Sequence, residues 1–315
     1  MLMIIALALT PVFFVMGLGF FAGRRKIVDN ANIKALNSFL MMFTLPAALF
    51  TAIARTPQAV IISNAPLMLV LAISLLVIYG VMAVLQYTVF KMARADSAVF
   101  MLTVAFPNFA SVGIPLMVGV YGPHAALAVA VAIATGACTI SPLTLTLLEM
   151  SKAEPGARSG PMQFLMALRK SLLKPIIIAP VAAVILALLN VPMPPIVDKS
   201  LSIIGTAAAG VGLFLTGLIL SAQPIRVTLP VAIGVLVKNI LQPLLAFGIV
   251  TLLRVPQPMA NEVVLLTCIP AGFFGLVFGA NYGARPAVAG STLVVSSLAS
   301  IVTLAIAIAI LAPHS

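Results

Sequence analysis

Long apolar runs in the two halves of the chain are interrupted at corresponding places by the stretches FPNFASVGIP (residues 106–115) and IPAGFFG (residues 269–275). Proline lacks the backbone N–H that continues a helix, and its ring pushes the residue before it out of the α-helical region. Pro107 and Pro115 are therefore each expected to break a helix at the preceding residue, and Pro270 marks the matching break in the second half. The stretches predict two helices that are interrupted in their middle.

The composition places these breaks inside a membrane. The chain has 315 residues, of which 63% are hydrophobic and only 7% are charged, a balance that soluble globular proteins do not have. Ten apolar stretches each approach the roughly 20 residues that cross a hydrocarbon core. These are Met3–Ala22, Ile33–Ala54, Ala65–Phe90, Ala98–Val120, Ala125–Leu148, Pro175–Leu189, Ile196–Leu220, Val227–Leu253, Asn261–Tyr282 and Ala287–Leu311. The sequence predicts an all-α integral membrane protein with ten transmembrane helices, of which helices 4 and 9 are broken and cross.

Short motifs recur between the two halves at offsets of 161 to 169 residues. The pairs are Ile27-Val28-Asp29 with Ile196-Val197-Asp198, Pro107 with Pro270, and Tyr121-Gly122 with Tyr282-Gly283. The spans then divide into a first five-helix repeat over residues 1–150, a short cytoplasmic linker at 151–161 and a second five-helix repeat over 162–315. Because each repeat has an odd number of spans, the second must enter the membrane inverted. We expect Asp29 and Asp198 to cap the helices that follow them.

Basic residues set the orientation. The net charge of +11 reflects the membrane topology, and no nucleic-acid partner is expected. With the N-terminus outside, only Arg55, Lys199 and Arg254 lie outside and Lys238 lies within a span. The remaining bases lie inside: Arg24, Arg25, Lys26, Lys34, Lys91, Arg94, Lys152, Arg158, Arg169, Lys170, Lys174, Arg226 and Arg285. This bias predicts a multi-pass protein of the bacterial inner membrane with both termini outside.

Broken helices point to a function. Irregular backbone at membrane depth is tolerated only where protein buries it or a watery cavity solvates it. Paired broken helices in inverted repeats are typical of the substrate site of secondary transporters. The sequence therefore predicts a transporter.

The motifs at the breaks resemble those of the auxin efflux carrier family. In the first half the likeness lies in Pro107-Asn108, Gly113-Ile114-Pro115-Leu116 and Tyr121-Gly122. In the second half it lies in Pro270, Gly272, Val277-Phe278 and Tyr282, while Ala271 and Gly275 depart from the plant pattern. The absence of a long hydrophilic loop between spans 5 and 6 favours a compact bacterial member.

The resemblance implies an architecture and a class of substrate. Spans 1, 2, 6 and 7 would form a scaffold, and spans 3 to 5 and 8 to 10 would form a mobile transport unit with the broken spans near its middle. The implied cargo is a small organic anion, either a dicarboxylate or a compound like indole-acetate. Lipid is the other expected partner, and a homodimer stays an open alternative for the oligomeric state.

The residues at the breaks supply the predicted substrate site. N-terminal ends of half-helices expose N–H groups that favour carboxylates, Asn108 adds an amide and Ser111 a hydroxyl. Glycines permit close approach of backbone to a ligand or to the other break, although they can equally serve helix packing. The predicted substrate-binding residues at the breaks are Asn108, Ser111, Gly113, Pro115, Pro270 and Gly272.

Lys238 and Gln242 complete the predicted site. If span 8 begins near Val227, Lys238 lies roughly 16 Å into the membrane, too deep for easy contact with water, and Gln242 lies one turn away. A cation at that depth needs a cavity or a partner. Two interpretations stay open: Lys238 is a fixed countercharge for an anionic substrate, or it is a structural tether to backbone carbonyls of the breaks.

Other functions lack support in the sequence. An intramembrane enzyme would need a nucleophile with its base, or a set of metal-binding acids and histidines, at bilayer depth. All six acids lie near predicted span ends, and neither His124 nor His314 has a metal-ligand companion. We expect no cofactor and no metal. A sodium-coupled organic-anion symporter of similar fold is the alternative within transport, because carbonyls, Asn and Ser can bind sodium.

Overall fold

The computed structural model describes residues 2–28, 30–152, 161–222, 224–284 and 287–312. Within these ranges all regular structure is helical. The helices are α1 (Leu2–Arg24), α2 (Asn30–Phe39 continuing through a π-helical turn to Leu45–Ala54), α3 (Gln58–Ser63), α4 (Ala65–Phe90), α5 (Arg94–Ala105), α6 (Phe109–Tyr121), α7 (Ala125–Ser151), α8 (Pro161–Leu172), α9 (Pro175–Leu188), α10 (Pro195–Ser221), α11 (Leu229–Leu252), α12 (Met259–Cys268), α13 (Phe274–Gly279) and α14 (Ala287–Leu311).

Seven of these helices are each long and apolar enough to cross a membrane: α1, α2, α4, α7, α10, α11 and α14. The pair α8 and α9 adds an eighth if the two helices form one span bent by 64°. The other two stretches predicted as spans are the broken ones, each divided between two shorter helices, α5 with α6 and α12 with α13. The described part of the chain is thus all-helical, with several helices of membrane-crossing length.

The helices pack into two bundles. In the first bundle α1 packs along α10, and α2 packs along α9 and α10. The second bundle contains α4 to α7 and α11 to α14, with both broken helices packed against α4, α7, α11 and α14. Each bundle takes helices from both halves of the chain, and the pairing of α1 with α10 is matched by that of α9 with α2. The first bundle contains the spans that the resemblance assigns to a scaffold, and the second bundle contains those that it assigns to a transport unit.

Small residues bring the helices of the first bundle into backbone contact. A Cβ added to Gly19 of α1 would overlap the Phe214 carbonyl oxygen of α10, and one on Gly217 would overlap the Met16 carbonyl oxygen. Packing of this kind stabilises helix pairs in lipid, where burial of apolar side chains gives no advantage over contact with acyl chains.

An ion pair joins two helices of the first bundle. Arg55 follows α2, and its Nε and a terminal nitrogen donate to the Asp198 carboxylate of α10 at 2.7 and 2.9 Å. The predicted capping role of Asp198 is wrong, because α10 begins at Pro195 and the side chain of Asp198 is used by Arg55 instead. Asp29 lies outside the described residues.

The second half begins with a helix that the sequence analysis did not predict. Helix α8 lies next to the predicted linker, of which residues 153–160 lie outside the described ranges. It packs against the end of α7 and is separated from α9 by the sharp bend noted above. With 12 residues it is too short to cross a membrane alone.

Candidate functional site

The two predicted breaks are present, and they contact each other. Phe106 leaves the helix with extended dihedrals (φ −101°, ψ 104°), as a residue before proline should. The Asn108 N–H donates to the Pro270 carbonyl at 2.9 Å, and Pro107 and Ala271 form an isolated antiparallel bridge. We call this contact, formed by residues 106–108 and 269–272, the crossover. Here two unwound backbones satisfy part of each other's hydrogen bonding.

Gly272 sets how closely the two backbones approach. Its N–H donates to the Thr103 carbonyl of α5 at 3.2 Å, and a Cβ at this position would overlap the Phe106 carbonyl oxygen. Gly113 packs differently, because a Cβ there would lie 2.8 Å from a Val129 methyl of α7. Of the two roles expected for the glycines, Gly272 serves approach of one break to the other and Gly113 serves helix packing.

Asn108 occupies the N-cap position of α6 but does not cap it. Its side chain makes no hydrogen bond to the first turn, although asparagine is among the residues that commonly do. Asn108 is only 2% exposed, and its Oδ1 has no hydrogen-bond partner. The buried Oγ of Ser111, one turn further along α6, is also without a partner. Unpartnered buried polar atoms are costly and uncommon, and these two atoms make the start of α6 the candidate site.

The two prolines of the predicted site have different structural roles. Pro270 lies in the crossover and its carbonyl accepts the Asn108 N–H. Pro115 does not break a helix at Ile114, which is α-helical (φ −61°, ψ −55°), so that prediction is wrong. A π-helical turn at Phe109–Gly113 precedes it, and Pro115 lies in the first turn of the α-helical segment that follows. There a missing N–H costs little.

Lys238 and Gln242 bind the C-terminal ends of the half-helices. Lys238 is fully buried on α11, and its Nζ donates to the Thr267 carbonyl near the end of α12 and to Gln242 Oε1, both at 2.8 Å. Gln242 Nε2 donates to the carbonyl of Ala105, the last residue of α5, at 3.0 Å. C-terminal ends carry partial negative charge and unpaired carbonyls. These contacts match the tether interpretation, and the countercharge role stays a prediction.

A second polar set holds the crossover from α14, and the sequence analysis missed it. Ser296 Oγ accepts the Ala271 N–H at 3.0 Å and donates to Asn239 Oδ1 at 2.6 Å. Asn239 in turn donates to the Ser296 carbonyl at 3.0 Å. Asn239 directly follows Lys238 in the sequence, whereas Ser296 is one of several serines and threonines in an apolar helix and has no sequence signal of its own.

Aromatic rings fill the space beside the crossover. Phe106 stacks on Phe274 with ring centroids 5.1 Å apart, and Phe274 stacks on Phe273 at 5.0 Å. All three are at most 2% exposed. The rings connect the two breaks by apolar packing, which complements the backbone bonds.

These features define a class of protein. A multi-pass helical protein with two interrupted helices that meet at their breaks, and with unpartnered polar atoms buried there, is built as a membrane transporter. The model of a family described as "Membrane transport protein" matches residues 4–308. The chain belongs to that family, the auxin efflux carrier family that its motifs resemble.

Named relatives agree with this assignment. "Uncharacterized transporter YfdV" of Escherichia coli K12 is 30% identical over 301 residues, which cover 94% of each chain. "Putative malonate transporter" of Rhizobium meliloti is 25% identical over 301 residues, covering 93% of this chain and 91% of the relative. "Auxin efflux carrier component 6" of Arabidopsis thaliana is 31% identical over 100 residues, covering 31% of this chain and 18% of the plant protein.

Proposed function

We propose that this protein is a secondary transporter that carries a small organic carboxylate anion across the bacterial inner membrane. The observation that carries the proposal is the uncapped start of α6, where Asn108 Oδ1 and Ser111 Oγ are buried without partners. Because helix N-termini favour anions and a Ser hydroxyl can donate, a carboxylate fits this position. The Asn108 amide can also donate to it after a half-turn that exchanges oxygen and nitrogen.

The contacts of Lys238 and Gln242 also favour an anion at the start of α6. They occupy carbonyls at the C-terminal ends of α5 and α12, the ends that would repel an anion. The N-terminal start of α6 is left to a ligand. Lys238 then acts as a positioning residue for the crossover, through its contacts with the Thr267 carbonyl and Gln242.

We further propose ten membrane passes in two inverted repeats, with both termini outside. The seven continuous helices, the bent pair α8–α9 and the two broken helices together account for ten passes. The matched pairings of α1 with α10 and of α9 with α2 are the contacts that a two-fold axis in the membrane plane would generate.

The separation into two bundles supports an elevator mechanism. The second bundle holds the whole crossover, so it could carry a bound anion as a unit along the first bundle. In such a mechanism the contacts between the bundles must change, while those within each bundle persist.

Uptake into proteoliposomes tests the proposed function. Labelled malonate is the first substrate, because the Rhizobium meliloti relative is named for malonate transport, with malate, succinate and indole-acetate as competitors. We expect saturable uptake of at least one of these anions, and its loss in Asn108→Ala. Absence of uptake of all four by correctly inserted protein, in either imposed gradient direction, would refute the carboxylate assignment.

A sodium-coupled symporter is the second candidate, and one observation favours it. As oriented, Asn108 presents an oxygen, and Ser111 and Thr103 add two further unpartnered hydroxyl oxygens on either side of the break. Oxygen ligands of this kind suit a hard cation. The uptake measurement is therefore repeated with sodium replaced by choline: uptake that requires sodium selects the symporter, and uptake that does not selects the uncoupled or proton-linked carrier.

A further inference from the structure

A cavity of about 360 Å³ lies at the start of α5, at the other end of this helix from the crossover. Eleven residues at a rise of 1.5 Å put it roughly 17 Å from Ala105 along the helix. The cavity is bounded by the end of α4, the first turns of α5 and the end of α7. Its polar wall consists of Gln86, Lys91, Arg94 and Ser97.

Gln86 is the buried polar group of this cavity. It is 3% exposed, and its Oε1 accepts a hydrogen bond from Ser97 Oγ at 3.1 Å. Its Nε2 is buried without a partner. The acceptor half of the amide is therefore used by the protein, and the donor half is left over. A donor without an acceptor at this depth is costly unless a ligand or water supplies one.

The start of α5 adds further donors. The N-cap residue is Ala93, whose methyl group cannot accept from the first-turn N–H groups. Lys91 precedes the helix in a left-handed turn (φ 50°), and Arg94 is its first residue; both line the cavity. Asp96 lies in the same turn but is not among the lining residues.

We propose that this cavity is an oxyanion-binding site, separate from the crossover, that accepts a carboxylate or phosphate group. The side chains that favour an oxyanion there are the Gln86 amide, Lys91 and Arg94, beside the N-terminus of α5. The remaining wall is apolar, with Met101 and Leu147 among its side chains, and it accommodates a short hydrocarbon part. The oxyanion comes either from a small soluble anion or from the headgroup of an anionic lipid.

Binding measurements on the purified protein test this site. The protein carries Asn108→Ala, so that the crossover is impaired and the result does not depend on the proposed transport function. In nanodiscs of phosphatidylcholine, malonate and inorganic phosphate are titrated by calorimetry. We expect binding of at least one probe, weakened about tenfold by Gln86→Leu or by Arg94→Gln, since each removes a hydrogen bond to a charged group. Arg169→Gln, the same change at an exposed arginine of α8, is the matched control.

A lipid arm separates the two sources. Native mass spectrometry of protein from phosphatidylglycerol-containing nanodiscs reports whether a lipid is retained by the parent and lost in Arg94→Gln. Retention in the parent with loss in Arg94→Gln assigns the site to a lipid headgroup, and soluble-probe binding without lipid retention assigns it to a small anion. If Arg94→Gln behaves as Arg169→Gln in both arms, the proposal is wrong. Because Arg94 is exposed, this variant decides the matter even if Gln86→Leu does not fold.

Discussion

Asn108 and Lys238 lie beside opposite ends of half-helices: Asn108 is at the N-terminal end of α6, and Lys238 contacts the C-terminal end of α12. Asn108 stands at the N-terminal start of α6 with an amide oxygen that no protein group satisfies. Lys238 donates to two oxygen acceptors and is shut off from solvent. A buried polar atom without a partner calls for an explanation; we propose a ligand as the explanation at Asn108, and the contacts of Lys238 favour a structural role.

Replacing Asn108 by alanine is expected to lower uptake at subsaturating substrate by about tenfold or more, because the change removes a hydrogen bond to a charged ligand. The measurement is the initial rate of uptake per inserted protein in proteoliposomes. Asn64→Ala is the control, since Asn64 donates to the Val60 carbonyl at the end of α3, away from the crossover. An unchanged rate in Asn108→Ala would remove this residue from the site.

Replacing Lys238 is expected to lower the stability of the protein more than its affinity for substrate. Lys238→Met leaves the Thr267 carbonyl and Gln242 Oε1 buried without a donor, at a cost of about 1–3 kcal/mol for each group. Lys238→Gln retains a donor, so it should recover part of the lost thermal stability in detergent. Malonate affinity of the folded Lys238→Gln protein should stay within about threefold of wild type. A much larger loss of affinity at matched stability would instead establish the countercharge role.

Among the elements, the crossover joins two helices that would each be incomplete alone. The Asn108 N–H has its acceptor in the second half of the chain. Ser296 on α14 and Gln242 on α11 satisfy further backbone groups of the breaks. The geometry of the break is thus fixed by three other elements, which makes it rigid enough to hold a site.

A methyl group at Gly272 should disturb the crossover. Gly272→Ala forces a Cβ into the Phe106 carbonyl oxygen, and backbone cannot move aside as a flexible side chain would. We expect a lower unfolding temperature, because overpacking a core typically costs about 1–3 kcal/mol. We also expect uptake to fall about tenfold or more, because the two breaks can no longer approach as closely. Gly248→Ala on α11 is the matched control, because nothing lies within 4 Å of its added Cβ. Equal behaviour of the two variants would show that close approach at the crossover is unnecessary.

The sequence predicts features that follow from local chemistry. Pro107 and Pro270 break helices through their own covalent structure, and the depth of Lys238 follows from counting along an apolar run. The expected break at Pro115 is absent because this proline lies in the first turn of the α-helical segment that follows a π-helical turn, and π-helical turns have no simple sequence pattern. The roles of Ser296 and of helix α8 depend on contacts with distant parts of the chain, which one sequence does not reveal.

Across the whole molecule, a polar cluster joins the two bundles at one end. Lys174, at the start of α9 in the first bundle, lies 2.8 Å from the carboxylate of Glu149 on α7 in the second bundle. Tyr282 donates its hydroxyl to the same carboxylate at 2.5 Å, and its ring lies beneath Lys152. An elevator motion would have to break the contact of Lys174 with this cluster, because Glu149 and Tyr282 belong to the second bundle.

Glu149→Gln is expected to shift the balance between conformations. Single-molecule fluorescence transfer between dyes on α1 and α14 reports the relative position of the bundles. We expect two distances, and a shift of about fivefold in their ratio in Glu149→Gln, since a partly buried ion pair contributes about 1 kcal/mol. Arg55→Gln, which removes the ion pair with Asp198 inside the first bundle, should leave the ratio unchanged. A single distance that substrate does not alter would contradict the elevator mechanism.

The crossover also has a consequence for how the protein is made. The Asn108 N–H finds its acceptor, Pro270, about 160 residues later in the chain, or roughly 8–30 s of synthesis at ordinary ribosomal rates. During that interval the newly synthesised first half contains one broken helix without the second broken helix that it contacts in the folded protein. Both bundles also lack the helices that the second half supplies. Produced as two separate polypeptides divided between Lys152 and Pro161, the halves should therefore be degraded when made singly and accumulate together when made in the same cell.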